Sequence, residues 1–281
     1  MSVVIPCHNA EEFVEKAIHS SFLSGANEVI VVDDGSTDLT AVKARSLGAN
    51  VIVQENAGPA ISRMTGLKSS NFEIVTFLDA DDELIPEGVK EMCSKLDSDS
   101  SLVGVVGATL VRKQGKIRGK LDVKSRDLSF ESLLRRGLPP GPPACAVWKT
   151  DAVIGATKGI SPGPKTNHAE DYSLFLAMSS FGAIGKVASN VCVYSAGLGR
   201  SSKNIERGLA DVEKIRQFFG ELSGIEVKSK SLKELSQLRH FRLFYEAPWS
   251  MPLFKLKNLM ISFTKGPSKY IKAFVGRLRG D

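Results

Sequence analysis

The amino-acid sequence predicts an α/β protein: a mostly parallel sheet with helices on both faces, plus a helical C-terminal extension. Three observations carry that prediction. Over the first hundred residues, short β-branched runs alternate with helical patterns, the habit of a layered α/β domain. The runs are continuously apolar, as in VVIP and VIVV, so those strands are buried on both faces. Beyond residue 204 only helical patterns remain.

The elements follow in order. VVIP (3–6) is the first strand. The helix after it sets Phe13, Ala17, Ile18 and Phe22 on one face, and Asn9 with Glu12 has the spacing of a capping box. VIVVDD (29–34) is the second strand; a helix over 38–47, a strand VIVQ (51–54) and a helix over about 58–69 come next. IVTFLD (74–79) is the fourth strand, and Pro86 opens a helix at a first-turn position. LVGVVGATLVRKQGKIRG reads as a strand pair turning near Gly115. GLPPGPP (137–143) is a stiff loop, ACAVWK (144–149) a strand, and NHAEDYSLFLAMSSFG (167–182) a buried helix entered through acidic residues. The remainder is helical over 205–222 and 229–246, with a basic amphipathic stretch after Pro252. There is no internal repeat and no low-complexity tract.

Length and composition bound the function. A chain of 281 residues suffices for one large domain, or one domain with an appendage. A hydrophobic fraction of 42% and a charged fraction of 24% suit a folded soluble protein. Cys7, Cys93, Cys145 and Cys192 are widely spaced and form no C-x-x-C, which points to a reduced, cytoplasmic setting and not to a disulfide framework or zinc site. The opening SVVIP reads as a strand and not as a signal peptide, and no apolar run reaches the roughly 18 residues needed to span a bilayer. The net charge of +6 is concentrated in residues 251–281, whose seven Lys/Arg and one Asp account for all of it. A basic tail on a neutral body suggests an anionic surface as partner.

Ligands of parallel sheets bind beyond the carboxyl ends of the strands, and the acidic clusters lie there. Asp33 and Asp34 close the second strand, Asp79 and Asp81 the fourth, and PCHN (6–9) the first. In Asp79-Ala80-Asp81, alternate residues of an extended segment point to one side, so two carboxylates can share Mg²⁺ or Mn²⁺ while water and phosphate oxygens complete the shell. The same letters suit an acidic helix start favoured by the helix dipole, and Asp82 and Glu83 fit that reading better. In DDGSTD, Thr37 or Asp38 can cap the next helix and Gly35 can make the turn. Neither role needs Asp33 and Asp34, whose carboxylates can accept hydrogen bonds from a base imide or a ribose hydroxyl.

The remaining candidates each have a bland and a functional reading. His8 is a packed polar residue or a contact to a base. Arg63 is a solvated helix charge or a partner of the acids and a diphosphate. Glu170-Asp171 is N-terminal helix charge or includes a general base that takes a proton from a hydroxyl acceptor. Arg200 and Lys203 are solvated loop cations or phosphate partners. No G-x-x-x-x-G-K-[ST], no G-x-G-x-x-G after a strand, no G-x-S-x-G and no H-E-x-x-H occurs, which argues against P-loop, dinucleotide-dehydrogenase, serine-hydrolase and zinc-protease chemistry.

Five ordered motifs then resemble one family. SVVIPCHNAEEF, VVDDGSTD, NAGPAISRMTG, FLDADD and AEDYSLFLAM are similar to the successive motifs of the family 2 glycosyltransferases of GT-A fold, over roughly residues 2–200. The resemblance implies an inverting transfer from a nucleoside-diphosphate sugar, most often a UDP-sugar, to a sugar or lipid-linked hydroxyl acceptor in envelope or surface polysaccharide or glycolipid synthesis. It implies that Asp34 binds the base with Pro6 and His8 lining the pocket, that Arg63 sits by the nucleotide, and that Asp79 lies near ribose and metal. Asp81 would hold the divalent Mg²⁺ or Mn²⁺, and Asp171 would be the catalytic base. It implies a catalytic domain over 1–200 and a helical, basic extension over 201–281.

This sequence departs from the family pattern in places. His8 stands where Tyr is usual, Ser62 and Met64 flank Arg63 in place of Ala and Asn, and no His directly follows Tyr194 to complete a metal shell. No Q-x-x-R-W of processive synthases is present, which favours single transfers. The alternatives are a sugar-nucleotide pyrophosphorylase, which would want a Gly-rich, Arg-containing first loop in place of PCHNAEE, and a non-catalytic nucleotide- or carbohydrate-binding relative. Nucleic acid is not expected, because base-stacking motifs are missing. The tail over 252–281 reads either as an interfacial helix on an anionic membrane surface, placing the protein peripherally on its cytoplasmic face, or as a packed helix with a basic solvent face.

Overall fold

The structure, a computed structural model, describes residues 1–160, 163–164, 166, 168–197 and 205–237. Arg200, Lys203 and the tail over 252–281 lie outside the described residues, as does most of the helix expected over 229–246, of which 232–237 is seen.

The first half alternates strands and helices as expected. β1 (Ser2–Cys7), β2 (Glu28–Asp34), β3 (Asn50–Gln54) and β4 (Ile74–Phe77) are joined through α1 (Val14–Leu23), α2 (Thr40–Ser46) and α3 (Pro59–Lys68). These strands pair in parallel in the order β3-β2-β1-β4. Val3, Val4, Ile5 and Val29 to Val32 are at most 1% exposed, which explains why their sequence never alternates. The order reverses at β1: β2 and β3 build outward on one side, and β4 returns to the other. Such a reversal opens a crevice beyond the strand ends.

The second half is mixed in direction. β5 (Glu83–Leu84) precedes α4 (Pro86–Ser98), which starts at Pro86 as predicted. β6 (Leu102–Lys113) and β7 (Lys116–Leu121) form the expected hairpin around Gly115. α5 (Phe130–Arg136), a 3₁₀ turn (Pro143–Cys145), β8 (Ala146–Lys149), α6 (Thr150–Gly159), α7 (Glu170–Phe181), β9 (Ala183–Ser195) and α8 (Ile205–Ser223) follow. β8 joins β4 to β6 by antiparallel pairing on both sides, while β6 and β9 run parallel. The nine-stranded sheet therefore runs β3-β2-β1-β4-β8-β6-β9-β5, with β7 on β6.

Several local expectations are corrected. Asn9 and Glu12 do not cap α1: Asn9 adopts a positive φ of 51° and its side chain accepts from the Thr37 amide at 2.8 Å. Phe22 is 39% exposed, so it leaves the core face that Ala17 and Ile18 share. α5, α6 and β9 have no counterpart among the elements expected from the sequence. Asp82 and Glu83 do not serve α4. Asp82 is 1% exposed and accepts from the Ser195 amide at 2.8 Å, while Glu83 belongs to β5 and pairs with Arg112. A carboxylate hydrogen-bonded to a distant strand has no freedom left to serve a helix end.

Candidate active site

The loops after β1, β2 and β4 and the approach to α7 surround a cleft of about 790 Å³. Pro6, His8, Asp34, Arg63, Asp79, Asp81 and Glu170 all line it; Asp171 is not among the lining residues. Six of the seven residues given roles by the family resemblance, all but Asp171, are thus brought to one cavity, together with Glu170.

Two glycines make the arrangement possible. Gly35 follows the Asp33-Asp34 pair at φ +73°, a conformation L side chains rarely adopt, and a Cβ there would meet the Asn56 amide at 3.1 Å. Gly66 lets α3 lie directly on the sheet, where a Cβ would come within 2.3 Å of Val4. That close approach carries Arg63, one turn earlier, over the strand ends.

Asp34 is 3% exposed at the end of β2. It accepts from the Gln54 side chain at 2.8 Å and from the amides of Ala57 and Gly58, each at 2.9 Å. Burial works against its charge, yet the amides of Ala57 and Gly58 and the Gln54 side chain more than offset it, so its pKa lies below the ordinary value. Asp34 therefore moulds the loop that opens α3 as well as facing the cleft. His8 Nδ1 lies 2.7 Å from the Asp34 carbonyl, to which its N–H donates, and 2.9 Å from the side-chain Nδ2 of Asn56.

Arg63 is 8% exposed and bridges the two sides of the cleft. Nη2 donates to Asp79 at 2.6 Å and Nη1 to Glu170 at 2.9 Å; Nε is buried without a partner among the described residues. Burial opposes its charge, but Asp79 and Glu170 win and raise its pKa further. Asp81 is in the opposite situation. Burial first, and the Asp79 charge second, push its pKa up to about 6. Asp82 is raised well above the ordinary value by burial and by the charges of Asp79 and Asp81, and its Oδ2 is buried with no partner among the described residues.

α7 sits where it does because its apolar side chains fill the second half of the core. Phe175 packs edge-on to the fully buried Trp148 at 5.3 Å, and the Tyr172 hydroxyl donates to the Leu133 carbonyl of α5 at 3.0 Å. Its first residue, Glu170, is thereby delivered to the cleft, with Asp171 next to it in the chain but not lining it. Asp171 Oδ1 accepts from the Tyr172 amide at 2.7 Å. Burial and then the Glu170 charge push its pKa up to about 7, which suits a base that works near neutrality.

Asp79 and Asp81 offer the hard carboxylate oxygens that Mg²⁺ or Mn²⁺ takes, and their mutual repulsion is the kind a divalent cation relieves. Among the described residues no three His, Cys, Asp or Glu gather to hold a metal ion. The chain supplies a partial donor set, which fits a cation whose other ligands are diphosphate oxygens and water. Residues missed from the sequence include Gln54, Asn56 and Tyr194. The Tyr194 hydroxyl, half-buried on β9, is pushed up to about 12 by burial and then by Asp82, Asp79, Asp81 and Asp171. Only its place one residue before the end of a strand could have hinted at this.

Comparison with known proteins adds the following. The family model described as glycosyl transferase family 2 matches residues 2–146, a span that contains the whole Pro6-to-Asp81 set and stops before Glu170 and Asp171. The chain is 31% identical over 103 residues to the glycosyltransferase GlyA of Streptococcus pneumoniae, covering 34% of this chain and 15% of that one. It is 27% identical over 143 residues to the putative teichuronic acid biosynthesis glycosyltransferase TuaG of Bacillus subtilis, covering 48% of this chain and 57% of that one. The matches thus span less than two thirds of the length of these relatives. Among solved structures, residues 1–349 of S. aureus TarS in complex with UDP-GlcNAc superpose with a TM-score of 0.57 at 18% identity, over 95% of this chain and 81% of that one. Glucosyl-3-phosphoglycerate synthase from Mycobacterium tuberculosis, in complex with Mn²⁺, UDP and glucosyl-3-phosphoglycerate, superposes with a TM-score of 0.51 at 22% identity, over 80% of each chain. Among the described residues no helix is long and apolar enough to cross a membrane.

Proposed function

The chain belongs to glycosyl transferase family 2 and has the GT-A fold, and from that premise we propose that it is an inverting glycosyltransferase taking a sugar from a nucleoside-diphosphate donor, in the first place a UDP-sugar, to a hydroxyl acceptor in polysaccharide or glycolipid synthesis. One observation carries the reading: the matched motifs converge on one cleft, where Arg63 ties the end of β4 to the start of α7. TarS and the mycobacterial synthase, which share the fold, were crystallised with UDP-GlcNAc and with UDP and Mn²⁺ respectively.

Pro6, His8 and Asp34 form the wall for the base. Asp79 and Asp81 would hold Mg²⁺ or Mn²⁺, which when bound neutralises charge on the departing diphosphate. Arg63, held between Asp79 and Glu170, places a fixed positive charge beside the same phosphates. Asp171, whose proton affinity suits neutral pH, takes the acceptor hydroxyl proton as the oxygen attacks the anomeric carbon from the face opposite the leaving group. In this reading residues 1–200 form the catalytic domain and 201–281 a basic helical extension, whose tail holds the enzyme peripherally at an anionic membrane surface close to a lipid-linked or sugar acceptor. Loss of vesicle binding on deletion of 252–281 is expected in a liposome sedimentation assay.

Titration calorimetry with a panel of nucleoside diphosphates, with and without Mn²⁺, tests the nucleotide site. UDP binding that depends on the cation is expected. No binding of any nucleoside diphosphate would sink the reading. A donor screen read by product mass then identifies the sugar.

A further inference from the structure

His168 lines the same cleft from the segment that enters α7. Its surroundings are built by α8, which neither the motifs nor the matched family segment reach. Asp211 of α8 is 6% exposed. Its Oδ2 accepts from the His168 backbone amide at 3.2 Å and lies 3.4 Å from His168 Nδ1, while its Oδ1 lies 3.0 Å from Lys214 Nζ. An ionised carboxylate can only accept, so Nδ1 carries the ring hydrogen. In the neutral ring Nε2 is then a lone-pair acceptor, and it has no partner among the described residues.

α8 is fastened so that Asp211 stays in place. The buried Arg216 donates through Nε to the Leu134 carbonyl of α5 at 2.8 Å and pairs with Glu213. The carboxylate, the ring and the cleft therefore form a fixed series from the extension into the site.

Resting on the glycosyltransferase reading, we infer that His168 recognises the donor sugar by accepting a hydrogen bond from one of its hydroxyls at Nε2, and that Asp211 is a positioning residue that sets the ring tautomer. Diphosphate oxygens have no hydrogen to offer such a lone pair, so the ring selects a hydroxyl. His168 stands two residues before Glu170, which holds Arg63 and through it Asp79. The ring thus lines the cleft on the side of the Glu170–Arg63–Asp79 series, where a donor's diphosphate and hexose would meet in this reading.

The test compares UDP with UDP-hexoses by calorimetry in the presence of Mn²⁺, using the full chain. His168→Phe is expected to leave the UDP affinity within about twofold and to weaken the preferred UDP-hexose about tenfold, the worth of one hydrogen bond. His168→Gln, which returns an acceptor near the Nε2 position, is expected to recover part of that loss. Independently of any ligand, long-range ¹H–¹⁵N spectra of the wild type should show the Nδ1–H tautomer of His168, lost in Asp211→Ala; Asp211→Asn serves if that variant does not fold. An Nε2–H tautomer in the wild type, or equal weakening of UDP and UDP-hexose in His168→Phe, overturns the inference while leaving the transferase reading intact. A wild type that binds no nucleotide removes the reading and this inference with it.

Discussion

The two acidic walls of the cleft handle their charge in opposite ways. At the end of β2, Asp34 is buried but met by two amides and a side-chain amide, and its proton is held less tightly than usual. Beyond β4 and at the start of α7, the half-buried Asp81 and Asp171 and the buried Asp82 have too few donors and stand beside other carboxylates, and their protons are held more tightly. The first wall is complete without a ligand; the second is short of positive charge that Arg63 alone does not supply. The difference separates a preorganised surface, suited to recognising a base, from a surface that requires a cation or a proton, suited to chemistry.

The largest effects should come from the charge-starved wall. Asp81→Asn is expected to abolish cation-dependent UDP binding and lower kcat/KM by about 10³-fold, read by calorimetry and product formation. Asp171→Asn is expected to lower kcat by roughly 10²–10⁴-fold with UDP affinity unchanged. Normal turnover in Asp171→Asn would reduce that residue to helix-start charge. Next, Arg63→Met leaves Asp79 and Glu170 facing each other without their shared partner. It should destabilise the fold by about 3 kcal/mol in urea unfolding, because one member of a buried ion pair has been removed.

A pH series sharpens the contrast between the walls. The native Asp81 carboxyl holds its proton up to about pH 6, beyond the unfolded value, so stability is highest in acid and is lost as pH rises through about 6. Asp81→Asn should therefore be more stable than wild type by roughly 1–3 kcal/mol at pH 8, with the gain gone near pH 4. Asp34 has the reverse sign. Its depressed pKa contributes stability that is present above the ordinary carboxylate range and lost as pH falls, so Asp34→Asn should destabilise at pH 7 and converge on wild type in acid. If both variants moved the same way with pH, the contrast would be broken. The smallest effect concerns Ala169, which precedes α7 with φ 60°; Ala169→Gly relieves the left-handed strain and should stabilise by at most about 1 kcal/mol in thermal unfolding.

The two walls also differ in how much of them can be read from the sequence. β1, β2 and β4 announce themselves by continuous apolar runs, and the acids that end them are adjacent in sequence to the strands that place them. The second wall is assembled from distant pieces. Arg63 reaches partners 16 and 107 residues away, and Asp82 meets an amide 113 residues away. No local period encodes such contacts, so in the sequence Asp82 and Glu83 read as helix-start charge, whereas in the fold β9 passes beside them. In the sequence Glu170 stands out only as the neighbour of Asp171, although it is the residue that reaches Arg63 and lines the cleft.

By itself, the sequence determined the buried parallel strands, the start of α4 at Pro86, the rim on which Asp34, Asp79 and Asp81 stand, and the family whose motifs they spell. These follow from local apolarity, turn chemistry and the spacing of side chains along one strand. Only the tertiary structure decided which carboxylates are satisfied and which are not, that Arg63 bridges β4 to α7, and that Asp211 on α8 reaches His168 at the cleft. Those outcomes depend on how many donors each carboxylate meets once distant elements pack, and that count does not exist before the chain folds.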